Sequence, residues 1–167
     1  MKRLLVVLSI VALGVCWLSP PVAADATWPF EFARIEYGVL TPPHTDVKWD
    51  KMFDFDIYHF VFNGHTILNA YVGNNPEYPS ISKRWISSKN RDSVNGLPAE
   101  TILSKSSSAT RSRETLITLN LGSHICCQYI HFYYESDSKA DAAKAVRIIA
   151  SLDSLLPKWP KASNPPR

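Results

Sequence analysis

Length, composition and charge set the first limits on what this chain does. The sequence has 167 residues, with 18 Lys and Arg against 15 Asp and Glu, and three cysteines. Its formal charge of +3 falls to near neutrality once Lys2 and Arg3 are removed with the leader described next, because 16 basic residues then face 15 acidic ones. A balance this close to neutral does not suit a nucleic-acid-binding protein, so no nucleic acid partner is expected.

The first 24 residues have the layout of a secretory signal peptide. Two basic residues precede an apolar run from Leu4 to Leu18, and small residues follow, which predicts cleavage after Ala24. The apolar run is about 15 residues long, shorter than the roughly 20 that a membrane-spanning helix needs. We therefore expect a bacterial protein that is periplasmic or secreted, with no transmembrane segment after cleavage.

The rest of the chain has the usual size of one domain. About 143 residues can bury a substantial hydrophobic core. We expect a single domain over residues 25–156, followed by a flexible, proline-rich basic tail over residues 157–167. The sequence does not indicate the oligomeric state.

The clearest local signal is the dipeptide Asn63-Gly64, which separates the β-rich runs FDFDIYHFVF and HTILNAYV. Asn-Gly between two such runs predicts a two-residue type I′ hairpin. That turn would place Phe62 opposite His65 and Phe60 opposite Ile67. Both faces of the hairpin carry large apolar groups, so we expect the sheet to be covered at least in part on both sides.

Shorter strands and polar loops surround this hairpin. A strand is expected from about Phe30 to Leu40, and others at Ser82–Ile86 and Ala99–Lys105. GNNPEYP from Gly73 to Pro79, and SSKNRDSVNGLPAE after Ile86, have the composition of loops. RETLITLNL, from Arg113 to Leu121, alternates polar and apolar residues and predicts a half-buried strand.

The segment ESDSKADAAKAVRIIASLDSLL predicts a long C-terminal helix that Pro157 ends. Ser138 is the expected N-cap, and Asp141 would lie near the positive end of the helix dipole. One apolar stripe would face the sheet, made of Ala142, Ala145, Val146, Ile149, Leu152 and Leu156. The expected fold class is therefore α+β, with an antiparallel β-sheet that contains the Asn-Gly hairpin and is covered by the long C-terminal helix.

The predicted domain ends with two adjacent strands and a helix. The last turn of this helix reads IIASL. Over about Arg113 to Leu156 the arrangement resembles the C-terminal part of PsbP-like domains, which include bacterial envelope lipoproteins. The resemblance implies a fold of sheet and helices, and the binding or assembly role that many members have. It supplies no functional residues to carry over to this chain.

Cys126 and Cys127 are the two cysteines left after signal cleavage, in the segment SHICCQYIHFYY. In a strand, alternate residues point to opposite faces, so the two thiols would point apart and Cys127 would share a face with His131 and Tyr133. A zinc ion needs ligands converging at about 2.0 to 2.3 Å, which this strand does not offer. A vicinal disulfide would strain the peptide between the cysteines. Two free buried thiols are favoured, with a vicinal disulfide as the alternative, and no metal or cofactor is expected.

Catalytic motifs are missing from the sequence. It contains no HExxH, no GxSxG and no phosphate-binding glycine loop. Asp54 and Asp56 would lie on one face at the start of a strand, where two solvated carboxylates are the simpler interpretation. A non-enzymatic protein is therefore favoured. The alternative is a metal-dependent or hydrolytic envelope enzyme that uses His59, His124 and Cys126.

Aromatic and polar residues in the loops provide a better functional lead. Aromatic rings at strand ends and in loops often anchor a protein partner. The predicted contact surface consists of Tyr71, Asn74, Asn75, Glu77, Tyr78, Lys83, Arg84, Trp85 and Arg91. We expect the partner to be a protein or an envelope component. An inhibitor or immunity protein is one concrete form of such a binder, and an envelope assembly factor is a further alternative.

Overall fold

A computed structural model describes four stretches of the chain, residues 26–31, 35–104, 111–119 and 127–155. The predicted signal peptide and the predicted C-terminal tail lie outside these residues, as do His124 and Cys126.

The described residues form ten strands and one α-helix. In chain order the strands are β1 (Ala26–Pro29), β2 (Tyr37–Thr41), β3 (Thr45–Lys51), β4 (Phe55–Phe62), β5 (His65–Gly73), β6 (Ile86–Val94), β7 (Leu97–Ser104), β8 (Arg111–Thr118), β9 (Tyr129–Ser136) and β10 (Asp153–Ser154). The helix α1 spans Lys139–Ala150, and a 3-10 turn at Lys83–Trp85 precedes β6.

The strands form two sheets in which every hydrogen-bonded pair is antiparallel. The larger sheet has seven strands in the order β3-β4-β5-β9-β8-β7-β6, and the smaller one has three in the order β1-β2-β10. Strand β9 follows β8 in the chain but also pairs with β5. This pairing joins the β3-β4-β5 and β6-β7-β8 meanders into one sheet, and it brings Tyr71 of β5 beside His131 of β9.

The predicted α+β fold with a long covering helix is wrong, because the described residues are mostly antiparallel β-sheet. Helix α1 has only 12 residues, and no described helix is long and apolar enough to cross a membrane. Ser138 is the N-cap as predicted, since its side chain accepts a hydrogen bond from the backbone N–H of Asp141. The chain leaves the helix at Ser151 and then pairs with β2 as β10. Leu152 of the predicted stripe is buried in the core beyond the helix, and Leu156 lies outside the described residues.

Two Asn-Gly turns build the hairpins of the large sheet. At Asn63-Gly64 the φ angles are 50° and 81°, which confirms the predicted turn between β4 and β5. At Asn95-Gly96 they are 48° and 84°, and this second hairpin joins β6 to β7 where a loop was predicted. Strand β6 is mostly exposed, so its sequence lacks the alternation that normally reveals a strand.

The pairing predicted for the first hairpin is right near the turn and wrong beyond it. Phe62 lies opposite His65 as expected, but Phe60 pairs with Leu68 because the register shifts between Phe60 and Val61. An extra residue in one strand of an antiparallel pair is a β-bulge, and it moves every later residue of that strand to the opposite face. Leu68, like Phe60, therefore belongs to the buried core.

The core lies on one face of the seven-stranded sheet, called the inner face below. One of its aromatic contacts joins Phe30 to Tyr58, with ring centroids 4.9 Å apart at 86°. Helix α1 contributes Ala145 and Ile148 to this core, and the three-stranded sheet contributes Val39. The helix and the three-stranded sheet therefore both cover the inner face, whereas the sequence predicted that the helix alone would cover the sheet. The opposite, outer face carries the features described next.

Cys127 departs from the predicted strand pattern. It lies just before β9 with a φ of 76°, and its side chain is buried in the inner-face core with Ile130. The prediction placed it with His131 and Tyr133, whose side chains line a pocket on the outer face. Strand alternation fails here because the positive φ breaks the extended backbone before β9 begins.

Candidate functional site

A half-open pocket of about 430 Å³ lies on the outer face of the seven-stranded sheet. Strands β4, β5 and β9 form its floor, and the segment between β5 and β6 forms one wall. The floor residues are Phe55, Ile57, Tyr71, His131 and Tyr133, and the wall and rim residues are Asp54, Asn75, Glu77 and Ser80. Ile57, Tyr71 and His131 are direct cross-strand neighbours, so the sheet itself fixes the spacing of the floor.

One half of the floor is a pair of stacked rings. The centroids of Phe55 and Tyr71 are 5.2 Å apart, with an angle of 27° between the planes. Gly73 makes this stack possible, because a Cβ at that position would lie 2.5 Å from Tyr71 Oη and 2.8 Å from Phe55 Cβ. The backbone N–H of Asn75 also donates to Tyr71 Oη at 3.2 Å, which ties the wall to the floor.

The other half of the floor centres on the buried ring of His131. Tyr78 contacts this ring edge-on, with centroids 5.2 Å apart at 83°, and Tyr133 lies at 5.3 Å with a tilt of 41°. Tyr78 donates its hydroxyl to the carbonyl oxygen of Glu100 on β7. Burial raises the pKa of both Tyr78 and Tyr133, so both present neutral hydroxyls at neutral pH.

Glu114 of β8 anchors the wall from beneath. Its carboxylate accepts four hydrogen bonds: two from the N–H and Oγ of Ser80, one from the N–H of Ile81, and one from Nε2 of His131. Its side chain is only 2 % exposed. Burial raises the pKa of this carboxyl, but the hydrogen bonds from His131 and Ser80 outweigh burial and hold the pKa below its usual value. Glu114 is therefore ionised.

This arrangement is not a catalytic triad. In a Ser-His-acid triad the histidine lies between the serine and the acid, and it takes the proton of the serine hydroxyl. Here Ser80 Oγ donates directly to Glu114 at 2.6 Å, while His131 bonds to the other oxygen of the same carboxylate at 3.1 Å. With its lowered pKa, Glu114 is a weak base. The cluster holds the loop to the sheet.

Two carboxylates, Asp54 and Glu77, flank the aromatic floor, and both are exposed. Among the described residues, no lysine or arginine lines this pocket. The prediction that Asp54 and Asp56 form a solvated pair is wrong for Asp56, which is fully buried. Asp54 precedes β4 and lies at the pocket, whereas Asp56 lies within the strand beside Tyr58.

A hydrophobic tip adjoins the pocket, and sequence reasoning missed it. The turn between β3 and β4 exposes Phe53 fully and Met52 by 46 %. Asp54, the next residue, already belongs to the pocket rim. The available signal was the apolar pair in KMFD, directly before Asp54, at a position where a turn usually carries polar residues.

The structure brings three of the predicted binding residues together and separates the others. Tyr71, Asn75 and Glu77 line the pocket, and Tyr78 packs beneath it against His131. Asn74 has a structural role, because its side-chain oxygen accepts the N–H groups of Cys127 and Gln128 at 2.8 and 2.9 Å. The other predicted residues are not part of the pocket lining. Lys83, Arg84 and Trp85 form the 3-10 turn, and Arg91 lies on β6 beside Glu100.

Of the three residues in the alternative enzyme hypothesis, the structure describes only His59. Both ring nitrogens of His59 have partners, Asn69 Oδ1 at 2.6 Å and Asp50 Oδ2 at 3.0 Å. His124 and Cys126 lie outside the described residues. Within the described stretches, no group of three or more His, Cys, Asp or Glu side chains could hold a metal ion.

Comparison of the chain with protein-family models and with curated proteins finds no match. The resemblance to PsbP-like domains therefore stays a prediction, and the function has to be argued from the outer-face pocket and its surroundings.

Proposed function

We propose that this chain is an exported, non-enzymatic binding protein whose protein partner docks on the outer face of the seven-stranded sheet. The observation that carries the proposal is the aromatic pocket beside the exposed tip of Met52 and Phe53. Interfaces between proteins are enriched in aromatic residues and methionine, and a few anchors in well-packed pockets supply most of the binding energy. An inhibitor or immunity protein is one concrete form of such a binder.

The construction of the pocket supports binding rather than turnover. The polar groups of His131 and of the wall are engaged with the buried Glu114, which accepts hydrogen bonds from Ser80, Ile81 and His131. Its rings are held by stacking and by the sheet register, so little side-chain entropy remains to be lost on binding. A concave surface with an aromatic floor and polar groups on its wall and rim is suited to recognition.

Site-specific photo-crosslinking tests this proposal. A benzophenone amino acid in place of Phe53, in the full chain expressed in its own host, should give a crosslink to one protein that mass spectrometry identifies. The matched control replaces Leu40, which is 44 % exposed on the three-stranded sheet, away from the pocket. The crosslink should be absent at position 40 and should disappear when Tyr133→Ala is added to the position-53 variant.

Binding of the purified identified partner then completes the test. We expect Phe53→Ala and Tyr133→Ala each to weaken the affinity at least tenfold, as for anchor residues of other interfaces. Equal crosslinking at positions 40 and 53, or unchanged affinity in both alanine variants, would contradict the proposal.

A further inference from the structure

We infer that the outer-face pocket receives a basic side chain, an arginine or a lysine, that the partner protein presents. This inference rests on the proposed function and specifies what its pocket recognises.

The charge of the pocket provides the first argument. Two exposed carboxylates, Asp54 and Glu77, flank the aromatic floor, and no lysine or arginine of the described stretches lines the pocket. In the described part of the chain neither carboxylate makes an ion pair or a hydrogen bond. The pocket therefore keeps a negative charge that an incoming cation can neutralise.

The aromatic floor provides the second argument. The face of a tyrosine or phenylalanine ring attracts a cation that lies within about 6 Å of its centroid. Phe55, Tyr71 and Tyr133 belong to the lining of this pocket. Burial raises the pKa of Tyr133, which keeps that ring a neutral phenol with an attractive face. A guanidinium can stack on such rings while it forms paired hydrogen bonds to a carboxylate, so arginine fits both features of the pocket.

The neighbouring tip indicates that the cation belongs to a protein. Phe53 is fully exposed and Met52 is 46 % exposed, immediately before the rim residue Asp54. A small free cation would leave both side chains in water. A protein surface would cover them while one of its basic side chains enters the pocket.

Titration with side-chain analogues tests the recognition directly. The probe is N-acetyl-arginine N-methylamide, and the matched uncharged probe is N-acetyl-citrulline N-methylamide, which has nearly the same shape. Amide shifts in two-dimensional NMR spectra of the purified chain report binding residue by residue. We expect millimolar binding of the arginine probe, with shifts centred on Tyr71, Glu77 and His131, and at least fivefold weaker binding of the citrulline probe.

Paired variants separate pocket charge from overall charge. Asp54→Asn with Glu77→Gln should weaken arginine binding at least fivefold. The control, Asp46→Asn with Glu135→Gln, removes the same charge from exposed positions outside the pocket lining and should leave binding within twofold of wild type. Equal binding of the two probes, or equal loss in the two double variants, would overturn the inference.

The crosslink at position 53 distinguishes this inference from the proposed function. If the crosslink forms in the wild-type background and is lost in the Asp54→Asn, Glu77→Gln background, the result supports both the proposed function and the inference about the basic side chain. If the crosslink persists in that background and the arginine probe does not bind, the chain binds a protein but not through a basic side chain, and the inference is wrong. If the arginine probe binds and no crosslink forms, the pocket serves a small free cation, which overturns the inference together with the proposed function.

Discussion

Glu114→Gln tests whether the buried carboxylate holds the pocket wall to the sheet. The substitution keeps the shape of the side chain and replaces one acceptor oxygen with an NH₂ donor. Oε1 accepts from Ser80 Oγ and the N–H of Ile81, and Oε2 accepts from the N–H of Ser80 and His131 Nε2. In either orientation of the amide, one backbone N–H faces a donor and loses its partner.

The expected cost follows from these contacts. A buried donor without a partner costs about 1 to 3 kcal/mol, and the remaining hydrogen bonds lose the strength that the charged acceptor gave them, about 1 kcal/mol more. We expect the free energy of unfolding to fall by about 2 to 4 kcal/mol. At about 3 °C per kcal/mol for a domain of this size, the melting temperature should fall by about 6 to 12 °C.

Urea and thermal unfolding followed by circular dichroism measure both quantities. The control is Glu100→Gln, which removes a carboxylate paired with Lys89 and Arg91 nearer the surface and should cost less than about 1 kcal/mol. If Glu114→Gln is as stable as wild type, or no less stable than Glu100→Gln, the anchoring role assigned to Glu114 is wrong.

The pH dependence of stability provides a second measurement on the same variant. The pKa of Glu114 is lowered in the folded protein, so its stabilising contribution is fully present above the ordinary carboxyl pKa and is lost as the pH falls through the lowered folded value. Between about pH 7 and pH 3 the wild type should therefore lose more stability than Glu114→Gln. Parallel pH profiles of the two proteins would contradict the assignment.

Three further substitutions test local features of the fold by urea denaturation. Gly73→Ala should cost about 1 to 3 kcal/mol because its Cβ meets the ring of Tyr71, and Tyr71→Phe in that background should recover part of the loss; additive costs would exclude this contact. Ser138→Ala should cost about 1 kcal/mol through loss of the helix N-cap, whereas Ser138→Asp should cost little, and equal effects would argue against capping. Gly96→Ala should cost about 1 kcal/mol from backbone strain alone, since its φ is +84° and nothing lies within 4 Å of the new Cβ; Gly96→Asn should cost less, and no difference between the two would contradict this.

Local chemistry was sufficient for the parts of the fold that depend on a few neighbouring residues. The Asn63-Gly64 turn and the Ser138 cap were predictable because each needs only its own backbone geometry and one or two hydrogen bonds. The second turn at Asn95-Gly96 carried the same signal. It was overlooked because its edge strand β6 is too exposed to alternate.

The candidate site was predictable only as a region. The loop chemistry of GNNPEYP pointed to Asn75 and Glu77, and both line the pocket. The sequence predicts an ordinary strand position for His131, and the alternation of RETLITLNL predicts only a polar strand position for Glu114. The contact between His131 and Glu114 depends on the pairing of β8 with β9. The contact between Ser80 and Glu114 depends on the path of the segment between β5 and β6.

By itself, the sequence determined the Asn63-Gly64 turn with its two strands, the helix cap and the loop that contributes to the pocket, because these depend on contacts over a few residues. It did not predict β1, β3 or β6, and the predicted strand at Ser82–Ile86 is mostly the 3-10 turn. Only the tertiary structure decided the order of the seven strands and the β-bulge that places Leu68 in the core. It also decided that the helix ends at Ala150 and that the chain then pairs with β2 as β10. It also placed Tyr71 beside His131, although the two lie 60 positions apart in the sequence. Contacts over that separation depend on how whole strands pack, and no local pattern contains that information.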